Sequence, residues 1–137
     1  MSEKEIKKEN NNIKENMNNN KEIVLYLIVN KDLKMSSGKI ASQCSHAVCA
    51  LVRDLEHKNN NNYQTWLANH EPIIVLKATH EEILDIFNKY KNIKDVMCSA
   101  TYDAGRTQID ANSLTVIRFY PMARDKTPEI ISQLKLL

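Results

Sequence analysis

An unbroken apolar run, Ile23-Val-Leu-Tyr-Leu-Ile-Val29, constrains this chain more than any other feature. It is far shorter than the ~20 apolar residues of a membrane helix. It is rich in β-branched residues and lacks polar alternation, the pattern of a strand covered on both faces. Such a strand belongs in the middle of a sheet flanked by helices, which is an α/β arrangement. The 137 residues of the chain suffice for one domain of that kind.

Glycine is scarce, with only Gly38 and Gly105 in the chain. The dinucleotide fingerprint needs three glycines and the Walker A loop needs a close-set pair, so neither can be assembled. The net charge of +2, from 19 Lys and Arg against 17 Asp and Glu, is not that of a broadly basic nucleic-acid binder. Contact with nucleic acid would rest on local cations. Cys44, Cys49 and Cys98 form no C-x-x-C pair, which argues against a disulfide framework or a structural zinc site. The N-terminal stretch lacks the apolar core of a signal peptide. A soluble cytoplasmic protein without metal, cofactor or membrane association is expected.

Residues 1–21 are almost entirely Asn, Lys and Glu, with Ile6, Ile13 and Met17 as the large apolar exceptions. Such a segment buries too little surface to offset its ordering entropy, so a low-complexity tail that is disordered or a frayed helix is expected there. The folded domain is expected over 22–137. A second asparagine run at 59–62 reads as an expanded loop.

After the opening strand, the apolar period becomes helical over 38–57. Ile40, Cys44, Ala47, Val48, Leu51, Val52 and Leu55 fall in one arc, with Lys39, Gln43 and His46 opposite. Ser36 or Ser37 is the expected N-cap. A short helix is expected over 63–68 and a strand over 73–78. Thr79, followed by Glu82, forms a capping box for a helix ending at Tyr90. Strands are expected over 96–102 and 114–120, and Pro128 opens a last helix over 128–134. The order β-α-α-β-α-β-β-α implies a single three-layer α/β/α domain around a mixed four-stranded sheet.

Ligands of open α/β sheets bind beyond the carboxyl ends of parallel strands. Gly38-Lys39 after the first strand and Asp103-Ala-Gly105-Arg-Thr107 after the third are therefore the loops to inspect. Lys39 at a helix start would attract an anion. Gln43 lies one turn further on. Asp103 supplies a carboxylate, Arg106 a bidentate phosphate donor, and Thr107 and Thr115 hydroxyls. Each has a plainer reading: a solvated lysine, a turn aspartate, turn and strand threonines. Adjacent Ser45 and His46 cannot converge on one helix face, so a serine-hydrolase dyad is disfavoured.

The stretch Asp32-Leu-Lys-Met-Ser-Ser-Gly-Lys-Ile-Ala-Ser-Gln-Cys-Ser-His-Ala47 resembles the first signature of the Pth2 family of archaeal- and eukaryotic-type peptidyl-tRNA hydrolases. Asp103-Ala-Gly-Arg-Thr-Gln-Ile109 resembles the second. Ser113-Leu-Thr-Val116 and Leu134-Lys-Leu-Leu137 also fit, in the right order. The resemblance covers 23–137. It implies a four-stranded mixed sheet between helices, a homodimer, and cofactor-free hydrolysis of the ester joining a peptide to the 3′ end of tRNA. It carries catalytic roles onto Lys39, Gln43, Asp103, Thr107 and Thr115. The chain departs from the family pattern at Ser36-Ser37, where a further glycine is common, and at Tyr120-Pro121, where Gly-Pro is usual. The first departure bears on the phosphate-facing loop, the second on the cleft rim or dimer surface.

Under that resemblance, Asp103 orients or deprotonates the attacking water, and Lys39 stabilises the oxyanion. Asp103 acting only to orient Lys39 is the variant mechanism. Gln43, Thr107 and Thr115 hold water, carbonyl and ribose, while Arg106, Lys31, Lys34 and His46 meet the RNA. The rival functions are a non-catalytic tRNA- or ribosome-binding relative and a protein-interaction module.

Overall fold

The apolar opening run is strand β1 (Ile23–Asn30), and from Val24 to Val29 no residue is more than 6% exposed. Its side chains alternate between two cores, as the period of two requires. Val24, Tyr26 and Ile28 enter one core; Leu25, Leu27 and Val29 enter the other. The structure is a computed structural model that describes residues 2–5, 21–104 and 112–137.

Helices α1 (Ser37–Leu55) and α2 (Asn61–Ala68) close the second core, with Ala47, Leu51, Leu55, Tyr63 and Trp66 buried against it. Trp66 is fully buried and donates its indole N–H to the Pro72 carbonyl at 2.9 Å, so its one polar group is satisfied. The first core is covered by α3 (His80–Tyr90) through Ile83, Ile86 and Tyr90, and by α4 (Glu129–Ser132) through Ile131. The Thr79 capping box is present in full: Glu82 N–H donates to the Thr79 hydroxyl, and Thr79 N–H donates to the Glu82 carboxylate. The three-layer α/β/α reading holds.

Strand β2 (Ile73–Ala78) runs parallel to β1. Strand β4 (Leu114–Phe119) runs antiparallel to β1, and β3 (Cys98–Tyr102) antiparallel to β4. Strands β1, β2 and β3 therefore point the same way, and their carboxyl ends share one edge with the start of β4.

The sheet has six strands among the described residues, not the four expected. After β4, Tyr120 N–H turns to the Val96 carbonyl and Pro121 has no N–H to offer, which interrupts the ladder. The chain then rejoins β1 as β5 (Met122–Ala123), with its pairing shifted by one residue relative to β4. The expected helix over 128–134 stops at Ser132. Strand β6 (Lys135–Leu136) follows and pairs antiparallel with Leu76 and Lys77 of β2. A two-residue strand is too short to show any alternation in sequence.

The buried stripe of α1 also differs from expectation. It runs Lys39, Gln43, Ala47, Leu51, Leu55, which places Lys39 and Gln43 inside, while Ile40, Cys44 and Val48 are only half-buried. The stripe follows an inclined i±4 ridge instead of the apolar arc drawn along the axis. Two polar residues lie on that ridge because the sheet edge beneath them supplies polar partners.

Candidate active site

The site grows from the connection between β1 and α1. Asn30, 1% exposed, accepts from Asp32 N–H at 3.2 Å, starting a 3-10 turn over Lys31–Leu33. Its amide nitrogen donates to the Leu114 carbonyl at 2.9 Å, tying the end of β1 to the start of β4. Lys34 then takes a left-handed conformation, with φ 48° and ψ 44°, which turns the chain towards α1. The Ser36 hydroxyl caps the helix by accepting from Lys39 N–H at 3.3 Å. One of the two expected caps is thus selected, and Ser36, one of the departures from the family pattern, has a structural task.

On the first turn of α1, the Lys39 ammonium meets the Asp103 carboxylate at 2.5 Å, with side chains 6% and 3% exposed. Asp103 follows directly after β3. Its N–H donates to the Ser113 carbonyl at 2.9 Å, and its carbonyl accepts from Asn112 N–H at 2.8 Å. Asn112 supplies a φ of 67°, a conformation asparagine tolerates better than most residues. The backbone therefore holds the carboxylate in place from both sides.

Gln43 and Thr115 form the second buried pair, 2.7 Å from Oε1 to Oγ1, and the Thr115 hydroxyl also lies 3.1 Å from the Thr101 carbonyl. Its single proton serves one of these acceptors at a time. A bulge explains why Thr115 faces α1. In the β3–β4 ladder Thr101 opposes Val116 and Tyr102 opposes Leu114, so Thr115 is the extra residue. Leu114 and Ile117 enter the α3-side core, whereas Val116 enters the α1-side core, and Thr115 reaches Gln43 on that same side. Bulges re-aim side chains in this way beside functional sites.

Above these pairs opens a cleft of about 370 Å³ lined by Lys39, Ser42, Gln43, His46, Tyr102 and Asp103, with Ala104 at its rim. Of the residues singled out from sequence, Lys39, Gln43, Asp103 and Thr115 converge, and exposed His46 lines the cleft. Lys31 and Lys34 are exposed on the preceding turn and do not line it. Arg106 and Thr107, with Gly105, lie outside the described residues. Sequence reasoning missed Ser42 and Tyr102. Ser42 precedes Gln43 on the helix, and Tyr102 is an aromatic directly before the acid, a signal that was available.

Gly38 is exposed, and a Cβ built on it would meet nothing within 4 Å. The fold itself does not require glycine there. Ser45 donates to the Ala41 carbonyl at 2.8 Å, in keeping with the absence of a Ser–His dyad. Burial raises the thiols of Cys44 and Cys98, the latter to about 12, so neither is an activated nucleophile. Among the described residues, no three His, Cys, Asp or Glu side chains come together as a metal site.

The family model for "Peptidyl-tRNA hydrolase PTH2" matches residues 23–137. The chain belongs to the PTH2 family. Two PTH2 relatives are archaeal proteins named peptidyl-tRNA hydrolase. That of Methanococcus maripaludis is 36% identical over 112 residues, covering 81% of this chain and 96% of the relative. That of Methanocaldococcus jannaschii is 32% identical over 114 residues, covering 82% and 98%. Human "peptidyl-tRNA hydrolase 2, mitochondrial" is 35% identical over 115 residues, covering 84% of this chain. The matched region spans 64% of the length of the human protein.

The PTH2 match contains both buried pairs. It also contains Tyr120, which stands far from the cleft at the opposite end of β4, donating its hydroxyl to Asp54 at 2.6 Å. That departure from the family pattern does not shape the cleft rim.

Proposed function

We propose that this chain hydrolyses the ester between a peptide and the 3′ end of its tRNA, at the cleft over Lys39 and Asp103. One observation carries the reading: a buried 2.5 Å ion pair opens onto a cleft within a chain of the PTH2 family. A pair so costly to desolvate is poor material for stability alone, because apolar residues of similar size serve that end as well or better.

The reaction needs a water, a proton acceptor and a donor for the developing oxyanion. Asp103 directs a water at the ester carbonyl carbon and takes its proton as the new C–O bond forms. The carbonyl oxygen gains the displaced electron pair. Lys39 and the amides at the start of α1 stabilise that negative charge. Collapse breaks the bond to the ribose oxygen, which recovers the proton from Asp103. In the resting site Asp103 also holds the Lys39 ammonium at the cleft floor, so the orienting role and the base role are successive. Gln43 and Thr115 position water and carbonyl, and Thr107 contacts the terminal ribose. Arg106, Lys31, Lys34 and His46 contact the RNA.

Incubation of the purified protein with N-acetylated aminoacyl-tRNA tests this directly. Free tRNA is expected, and no release at micromolar enzyme overturns the reading. Undiminished release by Lys39→Ala or Asp103→Ala overturns the site assignment instead. The proposed catalytic unit is 22–137, so a chain lacking residues 1–21 should keep its activity and melting temperature. We further propose a cytoplasmic homodimer, to be checked by sedimentation and by imaging of a tagged chain. Among the described residues no helix is long and apolar enough to cross a membrane.

A further inference from the structure

We infer that Tyr102 is a stacking platform for a nucleobase at the 3′ end of the RNA, which gives the cleft a base-binding subsite beside its hydrolytic one. The inference rests on the proposed substrate class and adds the group that grips its terminus.

Tyr102 is 53% exposed, whereas Tyr26, Tyr63, Trp66, Tyr90, Phe119 and Tyr120 are each at most 8% exposed. Those six aromatic side chains are spent on the core. A lone exposed apolar residue carries no meaning by itself, but the position of this one is informative. Tyr102 lines the same cleft as Lys39, Gln43 and His46. It immediately precedes Asp103, so the two backbone positions are separated by one strand step of about 3.3 Å. It also ends β3, an edge strand paired only with β4 among the described residues, so no neighbouring strand covers its outer side. The ladder irregularity at Thr101/Tyr102 lies at this same point.

The chemistry of the substrate supplies the match. The ester to be cut sits on the terminal ribose, and that ribose carries a base. With the carbonyl over Lys39 and Asp103, the base is left at the mouth, within a side chain's reach of Tyr102. A flat π-face beside the reacting carboxylate can hold it without reading its sequence, because every base stacks. The chain has only a small net positive charge, so a non-ionic contact at the terminus complements the few local cations.

The test uses an acceptor-stem RNA hairpin with 2-aminopurine as its terminal base, whose fluorescence falls on stacking. Wild-type protein should quench it. Tyr102→Phe should retain the quench. Tyr102→Ala and Tyr102→Leu should lose it and raise KM for N-acetylated aminoacyl-tRNA about tenfold, with kcat nearly unchanged. Quenching that persists in Tyr102→Ala, or full recovery of KM by Tyr102→Leu, overturns the inference. The two readings fail separately. Tyr102-dependent quenching without tRNA release would sink the hydrolase reading and keep the subsite, whereas release without such quenching would sink the subsite alone.

Discussion

Helix α1 touches the sheet with polar side chains at both ends, in two different media. At its start, Lys39 meets Asp103 with side chains 6% and 3% exposed. At its end, Asp54 meets Tyr120 at 2.6 Å and Lys58 at 2.7 Å, but the side chains of Asp54 and Lys58 are 35% and 57% exposed. The contact distances are alike and the surroundings are not. Water screens the second network, so it contributes little and tolerates change. The first is desolvated, so water screens its charges little, and under the proposed hydrolysis its field would act strongly on the ester. Similar hydrogen bonds thus lie in a dry medium at one end of the helix and in a wet one at the other.

The comparison breaks most sharply at the buried end. Asp103→Asn and Lys39→Met should each take the opposite charge away from a buried ion, costing about 3–5 kcal/mol in urea unfolding. Each should also lower tRNA release by about a hundredfold or more. The double variant Lys39→Met/Asp103→Leu should regain most of the stability and none of the activity. If the double variant unfolds as readily as the singles, burial of the pair is not what separates the two ends.

Thr115→Val is the next test. Valine keeps the shape and strand preference of threonine but removes the hydroxyl shared with Gln43 and the Thr101 carbonyl. A cost of about 1–2 kcal/mol is expected from the unsatisfied buried acceptor. Activity should fall about tenfold or more, with kcat affected more than KM. Equal kinetics in Thr115→Val would remove the bulge from the catalytic account. A smaller effect should come from the exposed cations near the buried end. KM should rise with salt as phosphate contacts release counterions, and Lys31→Ala or Lys34→Ala should each reduce that slope by about one.

Much of this architecture could be read before any coordinates. A strand apolar without alternation has to be covered on both sides, so β1 and the three layers followed from 23–29 alone. The Thr79 capping box depends on residues three apart, and local chemistry of that kind survives folding unchanged. What escaped was non-local. The Lys39–Gln43 ridge looked like a polar face because Asp103 and Thr115, which make burial tolerable, lie 64 and 72 residues away along the chain. The bulge at Thr115 is invisible until β3 pairs with β4. β5 and β6 are two residues each, and pairing with β1 and β2 is what makes them strands. Lys39, Gln43, Asp103 and Thr115 were singled out from the sequence, and an orienting contact between Asp103 and Lys39 was among the alternatives, but the Gln43–Thr115 pair was not.

The smallest effect belongs to the exposed end and sharpens the contrast through pH. Hydrogen bonds from Lys58 first, then Tyr120, hold the Asp54 carboxyl below its usual range. A carboxyl depressed in the folded state stabilises it above the unfolded value, near 3.9, and that contribution fades as pH falls through the lower folded value. The melting-temperature difference between wild type and Asp54→Asn should therefore be flat from about pH 7 to 5 and shrink as pH falls below the unfolded carboxyl value of about 3.9. Tyr120→Phe should cost about 1 kcal/mol or less and leave tRNA release unchanged. A loss of release in Tyr120→Phe would mean that the two ends of α1 are coupled through the helix, and that the tyrosine standing where the family usually has glycine acts on the distant cleft after all.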